Sequence, residues 1–119
     1  MREVSAQIIS DVIAKLCIEA NCNLTVDMRN CICSAQAEET WPLAQEVLDR
    51  IVENFEIAGR EQVPICQDTG MVCVFLKIGQ EVHIDGDLEE AVNAGVRKGY
   101  IDGYLRKSVV ADPIRRGIS

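Results

Sequence analysis

The sequence predicts a helix-rich α+β fold of about four helices with a β-hairpin. Apolar residues recur at helical spacing in several segments, which is the signature of helices with one packed face. A short run at 71–78, MVCVFLKI, is rich in β-branched and aromatic residues. An alternating EVHID follows it at 81–85, after Gly79 and Gln80. Helices followed by a hairpin and a last helix make an α+β order rather than a βαβ repeat.

Taken in order, Val4, Ile8, Ile9, Val12, Ile13 and Leu16 predict a first amphipathic helix ending near Asn21. Thr25 stands where a cap would open a second helix through VDMRNCICSAQA. The third helix runs from Pro42 to Gly59. Proline suits a first turn because its missing N–H costs nothing there, and glycine suits an end. Leu43, Val47, Leu48, Ile51, Val52 and Phe55 form its apolar face, with Glu46, Asp49, Arg50 and Glu53 on the wet side. MVCVFLKI is apolar on both faces and predicts a strand buried on both. Gly79-Gln80 is an acceptable two-residue hairpin loop. In the next strand Val82 and Ile84 share one face, and Glu81, His83 and Asp85 the other. Asp87 with Glu90 forms a capping pair for a last helix through Leu105. On that helix Ala91, Gly95, Gly99 and Gly103 fall four apart as a ridge without side chains. Each mid-helix glycine costs about 1 kcal/mol against alanine, so close approach of another backbone is the expected compensation.

The composition narrows the function. The chain has 119 residues, 48% of them hydrophobic and 26% charged, which is ordinary for a globular domain. A formal charge of −7 argues against nucleic acid and anionic membrane surfaces as partners. The start, MREVSAQIISDV, has no uninterrupted apolar core and does not read as a signal peptide. The longest apolar run is too short to span a bilayer, and a cytoplasmic location is expected. There the six cysteines should be thiols or metal ligands rather than disulfides. Their spacings, with His83 the single histidine, show no self-contained metal site. Cys17, Cys22, Cys31 and Cys33 read as packing or solvent-facing residues, and Cys73 as part of the buried strand. His83 reads as a surface strand residue, Trp41 as a hydrophobic anchor before the third helix, and Arg115 and Arg116 as a basic tail.

One stretch asks for more. VPICQDTG, residues 63–70, sets a thiol, an amide, a carboxylate and a hydroxyl in a row between a proline and an apolar run. Pro64 biases Val63 towards an extended conformation, and Gly70 permits a turn other residues resist. A rigid, irregular segment at a strand's entrance could aim its side chains. Thiolate sulfur is a natural ligand for iron–sulfur iron, and Asp68 could hydrogen-bond a substrate hydroxyl or move a proton. The plainer reading is an Asx-type turn with Cys66 packed as a small hydrophobe, and spacing alone favours it. Arg106 has the same two readings. It is a planar fork suited to carboxylates, or a helix-end cation stabilised by the dipole.

VPICQDTG resembles the motif of the iron–sulfur hydro-lyases that comprise class I fumarases and tartrate dehydratases. REVSAQIISDVIAKLCIEANCNL, EIAGREQVPICQDTGM, GDLEEAVNAGVRKGY and YLRKSVVADP resemble, in order, the α-subunit of the two-subunit form. The resemblance implies a [4Fe–4S] cluster held by three cysteines, with one iron open as a Lewis acid towards a 2-hydroxy acid. Cys66 then matches the first cluster ligand. Gln67 and Asp68 match residues lining the substrate site, with Asp68 the catalytic candidate near the hydroxyl. Arg106 matches an arginine that grips a substrate carboxylate. The implied partners are a dicarboxylate substrate, fumarate/malate or tartrate, and a β-subunit.

After VVADP that family continues into an N-T-x-x-D-N-T-P segment and a second half bearing the other two cluster cysteines, whereas here IRRGIS follows. The expectation is therefore the N-terminal portion, residues 1–119, of a larger α/β catalytic domain, cluster-free and inert by itself. Its glycine ridge and strand edges are expected to self-associate. A non-catalytic helical interaction module derived from the family is the alternative, and a thiol redox or metal-storage protein a weaker one.

Overall fold

A computed structural model of the chain describes residues 1–115. The elements run β1 (Arg2–Ser5), α1 (Ala6–Cys22), α2 (Val26–Glu38), α3 (Pro42–Glu61), β2 (Val82–Asp85) and α4 (Leu88–Asp102). The α+β, helix-rich class holds. Two compact units divide the chain, one of residues 1–19 with 67–119 and the other of residues 20–66. The boundaries fall inside α1 and between Cys66 and Gln67. Arg116 of the expected basic tail lies outside the described residues.

In the first unit β1 and β2 pair in parallel, with Arg2 opposite Val82 and Ser5 opposite Asp85. Two expectations change here. Val4 belongs to a strand, opposite Ile84, rather than to the first helix, which opens at Ala6. The hairpin is absent among the described residues, because the partner of β2 is a parallel strand from the N-terminus, and parallel strands need a long crossover. Val82 and Ile84 are half-buried while His83 and Asp85 are exposed, as the alternation requires. MVCVFLKI forms no strand. No described strand pairs with it, and Met71 and Phe75 are 77% and 93% exposed. Cys73 is exposed with it rather than buried.

The core of this unit is α4 on α1. Ile13, Cys17, Tyr100 and Leu105 are buried together, with Ile9, Val72, Val92 and Val96 packed around them. Ile8, Val12 and Leu16, expected on the packed side, form an exposed stripe instead. The glycine ridge explains the close fit. A Cβ added at Gly95 would lie 2.5 Å from the Ser10 carbonyl oxygen, and one at Gly99 would lie 2.7 Å from that of Ala14. Backbone approaches backbone, which is the compensation the three glycines required. The ridge is thus occupied by α1 within the same chain, which corrects its assignment as a self-association surface.

Asp87 caps α4 by accepting the Glu90 N–H at 3.0 Å. The helix ends at Asp102, short of Leu105. Tyr104 takes φ +53°, the Tyr104 N–H donates to Ile101 O at 3.3 Å, and the Leu105 N–H donates to Tyr100 O at 3.0 Å. That is the Schellman arrangement, completed by the Leu105–Tyr100 apolar contact.

In the second unit α2 packs on α3. Phe55 and Ala58 of α3 are buried, with Cys22 at the end of α1. Arg29 lies 5.6 Å over the Phe55 ring and pairs with Glu56 at 3.2 Å. Thr25 does stand at the N-cap, yet its side chain makes no capping bond. Instead its hydroxyl, with the Met28 backbone, holds the Asp27 carboxyl below its usual range. Pro42 opens α3 as expected. Leu43, Val47 and Ile51 of its apolar face remain exposed, and Trp41 is 63% exposed, so it anchors nothing here. Gly59 does not end the helix. The left-handed residue is Gln62, at φ 54°, and Gly59 sits where a Cβ would meet Asn23 Oδ1 at 3.2 Å.

Candidate active site

Residues 63–70 are irregular in structure, and hydrogen bonds hold them from both ends. In the second unit the Ile65 N–H donates to Asn21 O at 2.8 Å, while Ile65 O accepts from Asn54 Nδ2 at 2.8 Å. Both polar backbone groups just before Cys66 are therefore fixed. Cys66 closes this unit with its thiol exposed, so the packed-hydrophobe reading fails for it.

In the first unit Gln67 and Asp68 are exposed and Thr69 is buried. The Gly70 N–H donates to Asp68 Oδ1 at 3.0 Å, which makes the Asx turn of the plainer reading real. Gly70 has φ +61°, where a glycine is favoured. The turn and an aimed carboxylate are not exclusive, since the bond fixes Asp68 at the surface. Thr69 carries the next link. Its hydroxyl donates to Arg106 O at 2.6 Å, and its carbonyl accepts from the Tyr100 hydroxyl at 2.8 Å. The segment bearing Gln67 and Asp68 is thereby tied to the segment bearing Arg106. Arg106 stands beyond the end of α4, exposed, and is engaged in no ion pair among the described residues.

Sequence reasoning missed Tyr100. The available signal was a phenol directly beside the ridge glycine Gly99, because a tyrosine on a packed face must find a hydrogen-bond partner. An open groove of about 1000 Å³ runs along Gly70–Val72, α4 and Lys107–Val109. Its walls include Gly70, two residues from Asp68, and Lys107, next to Arg106, but none of the candidate residues, so we assign it no part in the chemistry.

Burial pushes the Cys17 and Cys22 thiols above their usual range. That disfavours the thiolate a metal ligand or redox cysteine needs. Among the described residues no three His, Cys, Asp or Glu side chains converge as a metal site. These residues by themselves therefore do not fit a [4Fe–4S] cluster, for which Cys66 is the single candidate ligand.

The family model described as Fumarate hydratase (Fumerase) matches residues 10–118. The chain belongs to the fumarate hydratase family. A relative from Methanocaldococcus jannaschii, named "Putative L(+)-tartrate dehydratase subunit alpha", is 38% identical over 104 residues, covering 86% of this chain and 36% of that protein. "Fumarate hydratase class I, anaerobic" of Escherichia coli is 41% identical over 59 residues, 50% of this chain and 11% of the relative. "Putative fumarate hydratase class I" of Geobacillus stearothermophilus is 30% identical over 97 residues, 81% and 19% of the two chains. The chain thus spans about a third of the first relative's length and less of the others.

Proposed function

We propose that these residues form the N-terminal portion of the α-subunit of a hydro-lyase, which eliminates water from a 2-hydroxy dicarboxylic acid or adds it back. The observation that carries this reading is the tie from Thr69 to Arg106. It joins the candidate carboxylate and the candidate guanidinium within one compact unit. In this role Arg106 grips one substrate carboxylate through its paired donors. Asp68 lies towards the substrate hydroxyl, and the Gln67 amide completes the contact. Cys66 would offer its sulfur to a [4Fe–4S] cluster whose other ligands lie outside the described residues. No step is derived through that group. The substrate is fumarate/malate or tartrate, the partner a β-subunit, and the location cytoplasmic; no described helix is long and apolar enough to cross a membrane.

The test joins this chain to the remaining portion of an α-subunit and a β-subunit, then assays fumarate hydration against tartrate dehydration. Activity with one substrate is expected, with Arg106→Lys raising KM at least about tenfold because a point charge replaces a bidentate fork. Wild-type KM in that variant would remove Arg106 from the site. The chain alone is expected to be inert and cluster-free. Iron and sulfide bound stoichiometrically after anaerobic reconstitution would contradict that.

The second reading, a helical module for association, is favoured by the exposed stretch Met71–Ile78. It bears on assembly rather than on chemistry.

A further inference from the structure

Three hydrogen bonds close a ring in the first unit. The Leu105 N–H donates to Tyr100 O at 3.0 Å, the Thr69 hydroxyl to Arg106 O at 2.6 Å, and the Tyr100 hydroxyl to Thr69 O at 2.8 Å. Tyr100 and Leu105 are 8% and 5% exposed, and Thr69 is 8% exposed. The Tyr100–Thr69 bond is buried, where such bonds are strong and costly to break, and the Thr69–Arg106 bond is partly buried. The exposed groups Asp68 and Arg106 each lie one bond from a ring member, Asp68 before Thr69 and Arg106 after Leu105. Three buried groups thus hold two surface groups that the sequence separates by a whole helix.

We infer that Thr69 and Tyr100 are positioning residues, which set the spacing between Asp68 and Arg106 and thereby the distance between hydroxyl and gripped carboxylate that the site accepts in a hydroxy acid. Neither touches substrate. Thr69 acts on Asp68 through the backbone they share and on Arg106 through its carbonyl. Tyr100 fixes the Thr69 peptide from the other side. A hydroxyl is required at 69, not a branched shape, so serine should serve and valine should not. This inference rests on the substrate-binding reading of Asp68 and Arg106.

The decisive experiment compares Thr69→Val, Thr69→Ser and Tyr100→Phe in the assembled enzyme, with hydroxymalonate, malate and 2-hydroxyglutarate as competitive inhibitors in which the hydroxyl is kept and the far carboxylate is set at graded length. Wild type should prefer one length. Thr69→Val and Tyr100→Phe should flatten that preference at least threefold and raise KM, while Thr69→Ser stays near wild type. Thermal unfolding is measured alongside. A merely structural loss would weaken all three inhibitors in parallel, and that result, or an unchanged preference, overturns the inference. If the wild-type assembly shows no hydro-lyase activity, the substrate-binding reading itself has failed. The ring is then judged on the 119-residue chain by amide exchange. Faster exchange across residues 104–107 in Thr69→Val but not in Thr69→Ser keeps the positioning role, and equal exchange in both removes it.

Discussion

Burial holds the Cys17 and Cys22 thiols protonated where an unfolded chain would begin to lose their protons, near the usual value of 9.0. Below that value folded and unfolded states carry the same protons at these groups, and their contribution to stability is complete. Above it the unfolded thiols ionise while the folded ones do not, so stability falls as pH rises. The limit is about 1.4 kcal/mol per pH unit for each thiol. Urea melts at about pH 8 and about pH 10 should show the loss, with ultraviolet thiolate absorbance rising on unfolding at the higher pH. An unfolding transition with no such rise would mean these sulfurs are already ionised in the folded chain. Cys66, Gln67, Asp68 and Arg106 could be named as candidates from a short motif and its register. Tyr100 could not, because its role depends on a carbonyl in a segment far away in sequence.

Helices α2, α3 and α4 were readable from local chemistry. Pro42 and Asp87 mark their starts through single-residue effects that need no tertiary partner. Strands were the weak point. Nothing in REVS foretells a pairing with VHID, 80 positions further on, and MVCVFLKI has the composition of a strand without a described neighbour to pair with. The ends of helices failed in the same way. Gly59 looked like a terminator, yet Gln62 and Tyr104 hold the left-handed positions, and packing decided where the chain could turn. The glycine ridge allows a direct check. Gly99→Ala places a Cβ 2.7 Å from Ala14 O and 2.9 Å from the Cys17 Cβ. Helix propensity returns about 1 kcal/mol, but the forced separation of α1 and α4 costs about 1–3 kcal/mol or more. Gly79→Ala, whose Cβ would meet only Val82 Cγ2 at 3.7 Å, serves as the control. Denaturant melts should show a net loss in the first variant and almost none in the second; equal midpoints would show that α1 and α4 are not in backbone contact.

At the scale of the whole molecule the unmet need is cover. Phe75 is 93% exposed and its neighbours Val74, Leu76 and Ile78 are 38–50% exposed, in a run of strand-like composition that joins no sheet among the described residues. Such a surface pairs with whatever similar edge it meets. On the proposed reading, a second copy of the chain is the expected partner in solution. Sedimentation should therefore show association that grows with concentration and is relieved by Phe75→Glu. A monomer at every concentration would remove this surface from consideration, and the acidic chain would then owe its dispersal to its charge.

The parallel pair has one more effect, on the order of events as the polypeptide is made. Residues 2–5 leave the ribosome before their mate and cannot pair until residues 82–85 follow, roughly 4–16 s later at ordinary rates of synthesis. Throughout that interval the 20–66 unit can already close on itself. The two parts of the first unit must then meet after the intervening unit has been made, so residues that appear early are among the last to settle.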